Sequence, residues 1–191
     1  NQIISYQIDS YRKIRNTLRF LLGNLNNFNN QDLVKPEQMP ELERYLLTKI
    51  SNLNHNLKDL VSKHDYHGIY TVLLNFCTLE LSALYFDIRK DSLYCDPIKS
   101  NKRQSTIILL NIILSALLRW FAPILSFTTE EIYRLIMNNN KSIHLTKFLE
   151  FPISFKNENL NQKWLELIKI RNVCNISIEE KRASKEIGSS L

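Results

Sequence analysis

The chain has 191 residues, 44% of them apolar and 23% charged, with a formal net charge of +6 and a pI of about 9.2. That balance is ordinary for a globular domain, and the length buries roughly 70% of the unfolded surface. Cys77, Cys95 and Cys174 are odd in number and far apart, which excludes a disulfide framework and a zinc knuckle and fits reduced thiols in the cytosol.

Helix-compatible stretches dominate and glycine occurs only three times, so the expected class is all-α. A first helix is expected over Ile8–Leu25, where Ile8, Tyr11, Ile14, Leu18, Leu21, Leu22 and Leu25 recur at helical spacing. The Asn-, Asp- and Pro-rich stretch from Gly23 to Pro40 reads as a loop. A second helix is expected from Met39 to Lys63, with Pro40 in its first turn and a stripe of Leu42, Leu46, Ile50, Leu53, Leu57, Leu60 and Val61. Asp65 is a candidate N-cap for a long third helix to about Leu93, apolar round most of its middle.

Asp96-Pro97 breaks the chain, and a fourth helix is expected over Lys102–Phe121. Its run Ile107–Leu118 is shorter than the ~20 residues of a membrane span and contains Asn111 and Ser115, so it reads as a buried helix. Thr128-Thr129-Glu130-Glu131 fits a capping box opening a fifth helix to about Met137. Ile143–Leu145 and Ile176–Ile178 have strand-like composition, although a last helix is expected over Asn161–Arg182 with Trp164, Leu165, Ile168 and Val173 inward. The expected architecture is an antiparallel bundle of five to six helices, one domain over 1–191 with the last ~30 residues a partly separate extension. The chain starts without Met and ends abruptly at Ile187-Gly188-Ser189-Ser190-Leu191, so we expect a fragment of a longer protein without a signal peptide.

The basic surplus suits a polyanionic partner, though a merely soluble basic domain has the same balance. Arg12, Arg15, Asn16 and Arg19 recur at three- and four-residue spacing and share one face of the first helix, beside its apolar stripe. Such a face is either solvated or meets successive phosphates and unpaired bases. Lys13 lies off it. His64 and His67 have no third ligand near in sequence, so a helix junction explains them better than a metal. Asp87, Arg89, Lys90 and Asp91 read as a charged helix end, and Tyr66, Tyr70, Phe76, Tyr85, Phe86 and Trp120 as core. No Walker A loop, GxGxxG or nucleophile elbow is present, and no residue is assigned to catalysis or to a metal.

The run Tyr11-Arg-Lys-Ile-Arg-Asn-Thr-Leu-Arg-Phe-Leu-Leu-Gly-Asn-Leu25 resembles the signature helix of the class I isoleucine–tRNA ligases. Asp65-Tyr-His-Gly-Ile-Tyr70, Asn75-Phe-Cys-Thr-Leu-Glu-Leu-Ser-Ala-Leu-Tyr-Phe-Asp-Ile-Arg-Lys-Asp91, Ala122-Pro-Ile-Leu-Ser-Phe-Thr-Thr-Glu-Glu-Ile132 and Ile187-Gly-Ser-Ser-Leu191 resemble further motifs of that family. The resemblance implies the family's anticodon-binding helical domain, lying in a parent enzyme beside catalytic and editing domains. That parent charges isoleucine tRNA using ATP with magnesium, and carries a C-terminal zinc. The HIGH-like and KMSKS-like motifs of the ATP site and the paired cysteines of the zinc module are absent from these residues, so the fragment itself is expected to hold no cofactor and to be inactive alone.

By position, the resemblance turns Arg12, Arg15, Asn16 and Arg19 toward the anticodon arm; Lys102, Arg103, Arg171 and Lys185 are added for their charge alone. A cytoplasmic monomer without a membrane partner is expected. The alternatives are the same domain of a valine or methionine ligase, and a helical protein-interaction module with a fortuitously basic helix.

Overall fold

The computed structural model describes residues 2–25, 34–137 and 141–188. Helices account for nearly all of the regular structure, and no strand occurs among the described residues. The first helix, α1 (Gln2–Asn24), buries Ile14, Leu18 and Leu21 along one side. It begins earlier than its apolar pattern, and Ile8 stays 46% exposed because the first turns reach past the body of the bundle. Residues 26–33 of the Asn-rich stretch lie outside the described residues; Gly23 and Asn24 still belong to α1, and Pro36–Gln38 forms one 3-10 turn.

Helix α2 (Glu41–Ser62) starts one residue after Pro40, which flanks it rather than sitting in its first turn. It ends in a tight turn where His64 takes a left-handed φ of 56°. His64 and His67 are both exposed in that junction. Asp65 caps the next helix as expected, its carboxylate accepting the Gly68 N–H at 2.8 Å.

The helix from Tyr66 to Cys95 is continuous but changes winding. It is α-helical over Tyr66–Asn75 (α3), π-helical over Phe76–Phe86, and α-helical again over Asp87–Cys95 (α4). Helix α5 (Asn101–Phe121) is capped by Ser100, which accepts the Arg103 N–H, and ends two residues before Pro123. It packs on α1, α2, α4 and α6 and forms the centre of the core with Leu109, Leu110, Ile113, Leu114, Leu117, Trp120 and Phe121. α5 and the 66–95 helix are long and apolar enough to cross a membrane; α5 is instead walled in by its neighbours. With 66–95 counted once, the bundle has six α-helices among the described residues, within the expected five to six.

One expectation fails at the start of the helix after α5. The capping box does not form: α6 (Ser126–Met137) starts before Thr128, and Thr129 is buried, donating to Leu125 O. Glu130 instead accepts the Ile143 N–H and the Ser142 hydroxyl, each at 2.9 Å, together with Arg134. Partial burial raises its carboxyl, but these three donors outweigh that and hold it below its ordinary value. Ile143–Leu145 is a 3-10 turn, and Ile176–Ile178, strand-like in composition, lies within the helix expected over Asn161–Arg182.

The last helix, α7 (Glu158–Ala183), is capped by Asn157. Trp164 and Ile168 pack on the core, but Leu165 and Val173, expected inward, are exposed. Tyr66 is also exposed, being in the first turn of its helix, whereas Phe76, Tyr85, Phe86 and Trp120 are core.

Candidate nucleic-acid interface

Burial of Ile14, Thr17, Leu18 and Leu21 fixes which side of α1 faces outward. α1 is seated on the π-helical segment: Thr17 Oγ1 lies 3.4 Å from Ser82 Oγ, and the Phe20 and Phe86 rings stack with centroids 4.2 Å apart. Arg12, Arg15, Asn16 and Arg19 all stand in solvent on the opposite side, with Lys13 exposed as well. Arg12 has one weak ion pair, 3.7 Å to the exposed Asp9. Asn16 and Arg19 have no side-chain partner among the described residues.

Arg15 is held more definitely. Its Nη1 donates to Tyr11 Oη at 3.2 Å, and Tyr11 Oη is 3.0 Å from Thr128 Oγ1 of α6. Hydrogen bonds from Thr128 and then Arg15 draw the Tyr11 phenol below its ordinary value, and the same bond raises Arg15. The Glu131 carboxylate acts on both by charge. The Tyr11–Arg15 spacing of four was readable in the sequence, but Thr128, 117 residues from Tyr11, was not.

The four residues chosen for charge alone divide. Lys102 is exposed in the first turn of α5, and Lys185 is exposed beyond α7 with a left-handed φ of 61°; neither has a side-chain partner among the described residues. Arg103 donates to Asp96 O at 2.6 Å, closing the end of α4. Arg171 donates to Ala83 O at 3.0 Å and reaches Asp87 at 3.5 Å, fastening α7 to the π-helical segment. The eight residues are therefore spread over α1, the first turn of α5, the middle of α7 and the stretch beyond it, and two of them hold the fold together. No three His, Cys, Asp or Glu side chains converge among the described residues in a way that could hold a metal. The thiols are separate: Cys77 is buried, which pushes it up to about 12, while Cys95 and Cys174 are exposed.

Residues 43–191 match the family model of the anticodon-binding domain of tRNA ligase. The chain is 59% identical to an isoleucine–tRNA ligase of Pelagibacter ubique over 99% of its own length and 21% of that protein. It is 41% identical to the isoleucine–tRNA ligase of Agrobacterium fabrum, over 99% of the chain and 19% of that protein. The corresponding enzyme of Bradyrhizobium diazoefficiens is 39% identical over 100% of the chain and 19% of its own length. The chain thus spans about a fifth of the length of these curated relatives. With an all-α bundle matched over most of its residues, the chain belongs to the family of tRNA-ligase anticodon-binding domains.

Proposed function

We propose that this chain is the part of an isoleucine–tRNA ligase that grips the anticodon stem and loop of isoleucine tRNA. The reading is carried by the similarity to isoleucine ligases along 99% of the chain. The exposed polar face of α1 supplies its chemistry. Arg12, Arg15 and Arg19 would meet phosphates, and Asn16, with both a donor and an acceptor, would read a base edge. Phe127, 93% exposed one residue before Thr128, offers a ring on which an unpaired base can stack. Lys102 and Lys185 are free to add phosphate contacts; Arg103 and Arg171 are the weakest of the eight because the fold already holds them.

In this reading the domain has no catalytic residue. It orients the tRNA so that the far end reaches the catalytic domain of a longer cytoplasmic, monomeric polypeptide, which also carries an editing domain. ATP with magnesium and zinc belong to that longer protein; no side chains among the described residues here fit a zinc site.

The test is fluorescence anisotropy of a labelled anticodon stem-loop of isoleucine tRNA, titrated with the chain at several salt concentrations. Affinity should fall steeply with salt. Arg15→Ala should weaken binding roughly tenfold. Loss of binding on Lys102→Ala with none on Arg15→Ala would move the contact off α1. Equal affinity for the valine stem-loop would remove the isoleucine assignment.

A further inference from the structure

Three side chains from two helices meet at the hydroxyl of Tyr11. Thr128 Oγ1, in the first turn of α6, lies 3.0 Å from it, and Arg15 donates to it at 3.2 Å from one turn further along α1. Tyr11 and Thr128 are each half-buried, and their hydroxyls are tied to one another across α1 and α6, while Arg15 is exposed. An exposed arginine samples many rotamers, and ordering it on binding costs conformational entropy. A guanidinium tied at Nη1 to a fixed phenol is partly ordered before any ligand arrives. Its other N–H donors stay free for two oxygens of a phosphate or for a base edge. Arg19 and Asn16 have no comparable tether among the described residues.

We infer that Tyr11, anchored by Thr128, is a positioning residue that holds the Arg15 guanidinium in the orientation in which it meets RNA. The inference rests on the reading of the α1 face as the RNA contact. It also gives α6 a second part in the interface beside Phe127, through a hydroxyl that touches no RNA itself.

The same anisotropy titration, run on Tyr11→Phe, Thr128→Val, Thr128→Ser, Arg15→Ala and the double variant Tyr11→Phe/Arg15→Ala, tests it. Tyr11→Phe and Thr128→Val each remove one hydroxyl and should weaken binding about two- to tenfold. Thr128→Ser keeps the hydroxyl and should bind like the parent chain. Once Arg15 is alanine, Tyr11→Phe should have no further effect. If Arg15→Ala weakens binding but Tyr11→Phe does not, or if their effects multiply, positioning is wrong while the α1 face stands. If Arg15→Ala itself leaves binding unchanged, the α1 face falls and the inference with it. Thermal melts of each variant complete the test: affinity that tracks the melting midpoint, with no rescue by Thr128→Ser, would make Tyr11 a packing residue only.

Discussion

Glu43 is fully buried, where an unanswered carboxylate costs several kcal/mol. Arg89 answers it with a two-pronged pair, Nε to Oε1 at 2.6 Å and Nη2 to Oε2 at 2.8 Å. The Tyr85 hydroxyl donates at 3.0 Å and Thr106 Oγ1 lies at 3.3 Å. One carboxylate thus ties α2, the π-helical segment, α4 and α5 together. Removing a single partner strands the other charge, so Arg89→Met should cost about 3–5 kcal/mol, a drop in melting temperature on the order of 10 °C by circular dichroism. Glu43→Leu combined with Arg89→Met should recover much of that loss, since no charge is then left buried. A single variant that melts with the parent chain would mean that water reaches the pair. The sequence placed Arg89 in a charged helix end with Asp87, Lys90 and Asp91. Those three are indeed exposed, but Arg89 lies one turn after Tyr85 on the inward line. Its partner, 46 residues away, leaves no local pattern to read.

At the level of whole elements, most helices were legible because one face is apolar and the other is not. Legibility failed where that contrast fails. Residues 76–86 are apolar on nearly every side, so the pattern has no phase from which their change to π-helical winding could be seen. α7 has the same defect, with Leu167, Ile170, Val173 and Ile176 distributed round an exposed half, so its inward side was misread. What docks α7 is instead polar. Glu41 at the start of α2 accepts from Lys163 and from Trp164 Nε1, at 2.9 and 3.0 Å, while the Trp164 ring stacks on Tyr45. The bond from Lys163 is the main reason the Glu41 carboxyl sits below its ordinary value of 4.5. A carboxyl lowered in the folded state stabilises it fully above its unfolded value and ceases to do so as pH falls through the lowered one. Acidification below about pH 4.5 should therefore loosen the α2–α7 contact, shifting tryptophan fluorescence to the red. Glu41→Gln has no carboxylate to titrate and should remove that step. A step of equal size in Glu41→Gln would assign it to another group.

The molecule as a whole carries a net charge of +6, and two accounts of its affinity for RNA differ on whether that number or its placement matters. The α1 face was legible because three arginines share a helical side with no buried duty, whereas Arg103 and Arg171 look identical in sequence and are tied into the fold. If placement governs, each phosphate contact contributes a slope of about 0.7–0.9 to the fall of log affinity with log salt. Replacing Arg12, Arg15 and Arg19 together with glutamine should then flatten that slope by about 2–3 and weaken binding far more than any single change. Replacing Lys147, Lys156 and Lys169 with glutamine removes the same three charges from exposed positions elsewhere and should leave the slope near its starting value. All six side chains are exposed, so neither triple variant should shift the melting temperature by much. Equal loss of slope in both would mean that the chain attracts RNA through its total charge, and that the alignment of Arg12, Arg15 and Arg19 on one side of α1 has no part in binding.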